Sequence, residues 1–357
     1  MIWAWLIFLG FVFAMLALDL GVFHRKSHAV GFKEALGWSA VWITLGLSFS
    51  ILVYLAYDRH WFDLGFTVDA VDKMPNTGKL AATKYLTAYV VEKSLSVDNI
   101  FVISMIFGSL AVPARYQHRV LFWGILGALV MRGAMIGLGA VLVQNFHAIL
   151  YFFGAFLIFT GIKMLVAGDK EEHPENNRVV RWIRKLLPVT RDFHGQHFMV
   201  RAGSVWSHEP SEPGVQAKPD PVVESAAAGK WLLTPLAITL ILVELTDVIF
   251  AVDSIPAVFA ITADPYLVFT SNVFAILGLR SLYFALAGLI AKFRHLKPAL
   301  SLILILVGIK MLAAKWLKEW LGDSFNLTVL AVILAVLAIG AIASIIAGDK
   351  DDGHAGS

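Results

Sequence analysis

The sequence predicts an all-α polytopic membrane protein of about nine transmembrane helices, six of them forming two inverted three-helix repeats. Three observations carry this expectation. AVILMFWYC make up 58% of the 357 residues and charged residues only 15%; apolar runs of membrane length recur along the chain; and four short sequence matches occur twice in the same order. A soluble domain carries about 25% charged residues, and a helix needs about 20 apolar residues to cross the bilayer core.

The runs fall at 1–23, 36–57, 80–111, 119–143, 148–167, 232–263, 267–291, 299–315 and 325–347. They divide the chain into a two-span segment (1–79), a first repeat of spans 3 to 5 (80–167), a cytoplasmic loop (168–231), a second repeat of spans 6 to 8 (232–315) and a ninth span with its tail (316–357). The first run has no basic n-region and no small-residue cleavage site, and Asp19 interrupts it, so it reads as a retained span. Lys and Arg gather after span 1 (Arg25, Lys26, Lys33), span 3 (Arg115, Arg119), span 5 (seven residues from Lys170 to Arg201) and span 7 (Lys292, Arg294, Lys297). The stretches 144–147 and 264–266 have none. The positive-inside rule therefore puts the N-terminus outside and the C-terminus in the cytoplasm, with Lys315 and Lys318 against the trend.

In the long loop, residues 176–188 place Val179, Val180, Ile183, Leu186 and Leu187 on one face and Arg178, Arg181, Arg184 and Lys185 on the other. That pattern reads as a basic amphipathic helix on the inner leaflet. Residues 208–229, rich in Pro, Ser and Ala, read as flexible, and His173, His194, His197 and His208 as solvated side chains. The absence of Cys excludes disulfides, thiolate metal sites, iron–sulfur clusters and cysteine nucleophiles. A net charge of +3 is too small to call for nucleic acid; the partner that the composition does call for is the lipid bilayer.

Residues 92–100 (EKSLSVDNI) and 247–255 (DVIFAVDSI) share a carboxylate, five residues, an Asp, then Asn or Ser, then Ile. Val112-Pro113 precedes Ile125-Leu126-Gly127 much as Asp264-Pro265 precedes Ile276-Leu277-Gly278, and GIKML stands at both 161–165 and 308–312. Span 3 is expected to run inward and span 6 outward, so the two copies are inverted. Secondary transporters built this way hold their site near the midplane, at the repeat interface.

The acids inside the runs are Asp19, Glu92, Asp98, Glu244, Asp247 and Asp253; the deep cations are Lys93, Arg132 and Arg280; spans 2 and 9 have neither. A carboxylate in lipid costs about 2.5–3.5 kcal/mol even on the lenient insertion scale, so the acids must face protein or water, and spans 2 and 9 are expected at the periphery. The formal excess of acid calls for protons or a bound cation. With neither Cys nor intramembrane His pairs, the ligands are oxygens, which favours Mg²⁺, Ca²⁺ or Mn²⁺. Glu244 and Asp247 share a helix face. Glu92 and Asp98 lie about 120° apart on a regular helix. Pro256 suggests that span 6 unwinds near Asp253–Pro256 and frees carbonyls as further ligands. Asn99 and Ser254 add neutral oxygens beside the second acid of each motif, Asn272 and Asp19 are secondary candidates, and Lys93, Arg132 and Arg280 balance charge or gate.

The strings at 91–102, 243–265, 271–284, 154–165 and 18–26 closely resemble the TerC family of integral membrane proteins, including its Alx-type members. The resemblance implies a nine-span fold related to the LysE exporter superfamily, a bacterial inner-membrane location, a link to tellurium-resistance operons and the export of manganese. It carries the family's acidic transport residues onto Glu92, Asp98, Glu244, Asp247 and Asp253. The expected function is export of a divalent cation, Mn²⁺ foremost and Ca²⁺ next, by alternating access, with protons as the coupling ion and no organic cofactor. The alternative is an organising or stress-resistance subunit whose acids serve packing. HExxH, GxGD and GxSxG are all absent, so no enzyme is expected.

Overall fold

The computed structural model describes residues 1–21, 31–146, 148–167, 188–204, 220–286, 296–314 and 325–352, with the short pieces 316–317 and 322. It is a helical bundle of α1 (Ile2–Gly21), α2 (Phe32–Asp58), α3 (Gly78–Ser109), α4 (Ala114–Asn145), α5 (Ala148–Ala167), the short α6 (Pro221–Ser225), α7 (Pro235–Phe259), α8 (Pro265–Leu277), α9 (Leu279–Leu286), α10 (Leu296–Leu312) and α11 (Phe325–Asp352). Two antiparallel ribbons accompany it, β1 (Val68–Asp69) with β2 (Met74–Pro75) and β3 (Met199–Arg201) with β4 (Trp231–Leu233).

Among the described residues, six stretches are long and apolar enough to cross a membrane: Phe32–Asp58, Ala114–Asn145, Ala148–Val166, Pro235–Phe259, Pro265–Leu286 and Phe325–Ser344. The apolar stretches Ile2–Ala17 and Pro298–Leu312 are shorter among the described residues. α3 has 32 residues but carries Lys79, Lys84, Glu92, Lys93 and Asp98, so its length is that of a span and its composition is not. α2, α5 and α11 leave most of their surface uncovered, whereas Pro265–Leu286 is mostly buried. The charge-free second and ninth runs are thus among the least covered, but α5, which carries Lys163, is as open as either.

Local chemistry sets the helix starts. α7 and α8 open on Thr234-Pro235 and Asp264-Pro265, where proline loses no hydrogen bond because the first helical N–H has no partner in any case. Asp264 Oδ1 accepts the Tyr266 N–H at 3.0 Å and caps α8. α3 ends with Ala111 in the left-handed region (φ 48°), which lets the Val112 N–H reach the Phe107 carbonyl at 2.9 Å before Pro113 redirects the chain into α4. In the bundle, α3 packs on α2, α7 and α8, α4 on α7 and α8, and α5 along α10.

Three expectations need correction. α7 does not unwind at Asp253–Pro256 but continues through Pro256 to Phe259. Proline removes only one backbone donor there, three residues from the helix end, and the buried side chains from Ser254 to Phe259 hold the last turn. The break falls in the next run, at Gly278 between α8 and α9. Of the stretch read as flexible, residues 208–219 lie outside the described residues, and the rest is regular: Asp220 caps α6, and the chain then enters β4 and pairs with β3. His194 is buried, with its Nε2 3.6 Å from Asp220, so it is not a solvated side chain. Burial works to raise the Asp220 carboxyl, but the N–H groups of Asp192, Val222 and Arg191 and the nearby His194 outweigh it and hold it below the usual range. The amphipathic stretch 176–187, His173 and His208 lie outside the described residues.

Candidate functional site

Midway along α4, Arg132 is 1% exposed and gathers oxygens from three other helices. Its Nη2 and Nε donate to Asp247 Oδ1 and Oδ2 of α7 at 2.8 and 3.1 Å, a two-pronged guanidinium–carboxylate pair. Nη1 donates to Glu92 Oε1 of α3 and lies 3.5 Å from Ser254 Oγ and 3.4 Å from Asn272 Oδ1 of α8. Ser254 shares a face with Asp247, seven residues earlier, and Asn99 likewise shares one with Glu92. Thus Glu92, Asp247, Ser254, Asn272 and Arg132, all singled out from sequence, meet at one place.

Glu244, one turn before Asp247, lies against α4 at Gly127, where any Cβ would collide with its carboxylate. It makes no hydrogen bond or ion pair with a described residue, and Asp247 is the charge beside it. Two carboxylates, Glu92 and Asp247, therefore share one guanidinium, and with Glu244 one turn from Asp247 the three acids and one arginine carry a formal charge of minus two. Of the residues singled out around this centre, Glu92 Oε2, Asn99 Oδ1 and Asn272 Nδ2 are buried and make no hydrogen bond with a described residue. No three carboxylates or histidines converge among the described residues as they do around a held ion; these acids are arranged about Arg132 instead.

The remaining candidates sit elsewhere. Asp98 is about 120° round α3 from Glu92, and Asp253 the same angle round α7 from Asp247. Asp253 faces α5, where Thr160 hydrogen-bonds to it and Lys163 supplies a nearby positive charge. Lys93 turns to the break in the next run, and its Nζ donates to the Ala275 carbonyl at 3.0 Å, with the missing Cβ of Gly278 giving it room. A carbonyl near the end of α8 is thus taken by a lysine, while in α7 Pro256 frees only the one carbonyl four residues before it. Arg280 is buried in the first turn of α9. The Asp19 side chain lies outside the described residues.

A second buried cluster closes one end of the bundle. Lys84, fully buried on α3, meets Asp69 at 2.8 Å, Asp72 at 2.7 Å and Asn76 Oδ1 at 2.7 Å. Asp69 also accepts from Thr262 Oγ1 at 2.5 Å and from the Ala263 N–H at 3.0 Å, just past the end of α7. Asp264 accepts from the Tyr57 hydroxyl at 2.8 Å and from Asn76 Nδ2 at 3.3 Å. Burial alone would raise Asp69, but Lys84 and the bonds from Thr262 and Val71 hold it below the ordinary range. Burial, aided by the Asp69 charge, pushes Asp264 up. Lys310 of α10 donates to the Ala260 carbonyl at 3.0 Å nearby. Lys84 and Lys310 had a signal, each being a lysine inside an apolar run. Asp69 and Asp72 had none, because a loop carboxylate looks the same whether solvated or buried.

Comparison with known proteins agrees with this architecture. Over 338 residues the chain is 45% identical to an uncharacterized membrane protein of Myxococcus xanthus, covering 95% of this chain and 91% of that one. It is 42% identical over 325 residues to a protein of Escherichia coli K12 provisionally named membrane-bound redox modulator Alx, covering 90% of each. An uncharacterized membrane protein of Rickettsia bellii is 37% identical over 335 residues, covering 94% of this chain and 96% of its own length. No solved structure matches the chain. Residues 77–352 match the description Integral membrane protein TerC family, and with relatives of this identity and coverage the chain belongs to the TerC family of integral membrane proteins.

Proposed function

We propose that the protein exports a divalent cation, Mn²⁺ in the first place, by alternating access through the Glu92–Arg132–Asp247 centre. The observation that carries this reading is the charge balance: Glu92 and Asp247 share a single guanidinium, Glu244 beside Asp247 has no cation of its own among the described residues, and Glu92 Oε2 and Asn99 Oδ1 have no partner there. Buried carboxylates in such excess are stable only with protons or a cation, and one divalent ion matches minus two. The donors are hard oxygens, suited to Mn²⁺, Ca²⁺ or Mg²⁺; Mn²⁺ sheds water more readily than Mg²⁺ and prefers a smaller site than Ca²⁺. Protons are the coupling ion in this scheme. No bond is made or broken, and the protein is not an enzyme.

The scheme takes the bundle as nine spans with two inverted units, the N-terminus outside and the C-terminus inside a bacterial inner membrane. Support for inversion comes from packing. The α3–α8 contact is mirrored by the α4–α7 contact, and the two GIKML strings lie in α5 and α10, which pack on each other. Lys84, near the start of α3, reaches through Asp69 to Thr262 beyond the end of α7, so the two helices run in opposite directions. The test is Mn²⁺ uptake into inverted membrane vesicles: time-dependent accumulation above vesicles lacking the protein is expected, and its absence overturns the reading.

A second reading, an organising or stress-resistance subunit without transport, is favoured by the two-pronged hold of Arg132 on Asp247, which is also what a helix-packing ion pair looks like. Relatives named as redox modulators fit it too, although this chain has no Cys and so no thiol chemistry of its own. It predicts no flux in the same vesicles.

A further inference from the structure

We propose that Arg132 is a tethered cation that occupies the carboxylate centre when cargo is absent, and that an incoming divalent ion must take Asp247 from it. The inference rests on the cation-transport reading and adds the regulation of that site. Every atom to which Arg132 donates or lies near in the cluster, on Glu92, Asp247, Ser254 and Asn272, is an oxygen that a hard cation would use. These partners sit on α3, α7 and α8, so the guanidinium joins helices of both matched units across their interface.

Its chemistry suits the role. A guanidinium does not lose its proton in a protein, and its planar fork matches a carboxylate with two parallel bonds, so the centre is never left bare. Three uncompensated carboxylates inside a bilayer would make the return of an empty carrier costly, and one fixed positive charge reduces that cost without leaving the site. Glu244 supplies the way in. It is half-buried, one turn from Asp247, in the recess that Gly127 leaves, and it is not held by Arg132. A cation can therefore engage Glu244 first and compete for Asp247 second.

Competition has a measurable signature. When a site is open only part of the time, apparent affinity falls by the open fraction. Removing the guanidinium should therefore tighten cargo binding while abolishing turnover, whereas a merely structural arginine would weaken both when lost.

The experiment is calorimetric titration of the purified full-length protein with Mn²⁺ in detergent, beside flux in inverted vesicles, for wild type, Arg132→Gln and Arg132→Lys. Arg132→Gln is expected to bind at least about tenfold more tightly than wild type and to carry no flux. Lysine cannot hold Asp247 by two bonds, so Arg132→Lys should bind about threefold more tightly; being the milder change, it keeps the test alive if the glutamine variant does not fold. Binding that is unchanged or weaker in the folded variants overturns the inference and leaves the transport reading standing. Wild-type protein that neither binds nor moves Mn²⁺ overturns both.

Discussion

Gly154 on α5 and Gly308 on α10 meet backbone to backbone: a Cβ on Gly308 would lie 2.7 Å from the Gly154 carbonyl oxygen, and one on Gly154 would lie 3.2 Å from that of Gly308. Gly161, one further contact along, leaves 2.8 Å to the Ser301 carbonyl. Helices in lipid gain little from hiding apolar surface from one another, so association depends on close van der Waals approach, which glycine permits. The GIKML string recurs because the same interface is built from both sides.

Replacing Gly308 by Ala should therefore force the two helices apart and cost about 1–3 kcal/mol. Gly137 on α4 has nothing within 4 Å of its missing Cβ, so Gly137→Ala should be neutral or stabilise by up to about 1 kcal/mol through helix propensity. Thermal unfolding in detergent reads both. A Gly308→Ala protein as stable as wild type would show that the close approach is not needed.

The bundle and much of its centre were readable from sequence, and the reasons differ by residue. Glu92 and Asp247 stand out because an acid in an apolar run has a large cost that only function or pairing offsets. Arg132 stands out for the same reason, and the repeat ties the two acids together. The sequence reading went astray where local rules compete with packing: Pro256 suggested a break, yet the buried turn around it holds, while Gly278 breaks the next run without a proline to announce it. The Asp69–Lys84 pair was out of reach because its two residues are 15 apart in sequence, one of them in a polar loop. Only the fold of that loop onto the end of α7 buries it.

That loop gives the next prediction. Lys84→Met would leave Asp69 and Asp72 buried without their cation, and breaking such a pair from one side costs about 3–5 kcal/mol. The β1–β2 ribbon should detach from the α7–α8 turn and become open to protease. Adding Asp69→Asn and Asp72→Asn to Lys84→Met should recover part of the loss, because no buried charge is then left alone. Equal protease resistance in wild type and Lys84→Met would rule out this cluster as the fastening of that end.

Asp220 gives a pH dependence with a definite sign. Its carboxyl lies below the ordinary value of 3.8 in the folded protein, where Arg191 and Asp192 donate their N–H groups to it at 2.6 and 3.1 Å. The unfolded segment thus binds a proton more readily than the folded one. The stabilisation is fully present above the ordinary value and is lost as pH falls below it through the depressed one. Hydrogen exchange at Arg191 and Asp192 should accelerate, relative to intrinsic rates, as pH drops into that window. Asp220→Asn should show weaker protection at every pH and little change with acid; an unaltered pH dependence in that variant would assign the effect to another group.

The last prediction separates the ligands of the centre from the acids that flank it. Asp247 is held by Arg132, whereas Asp98 and Asp253 lie about 120° round their helices, Asp253 turned towards Thr160 and Lys163. Asp247→Asn should abolish Mn²⁺ binding and flux together, because it removes a charged donor and keeps the side-chain volume. Asp98→Asn and Asp253→Asn should abolish flux while purified protein still binds, since a cation crossing the bundle meets these acids along its route and not at the resting centre. Glu224→Gln, an exposed change in α6, should alter neither. Titration with Mn²⁺ beside vesicle uptake separates these outcomes. If Asp98→Asn or Asp253→Asn lost binding as fully as Asp247→Asn, the resting ligand set would have to include the flanking acids. That result would require α3 or α7 to rotate by about a third of a turn between this arrangement and the loaded one, because a regular helix cannot otherwise aim residues six apart at one ion.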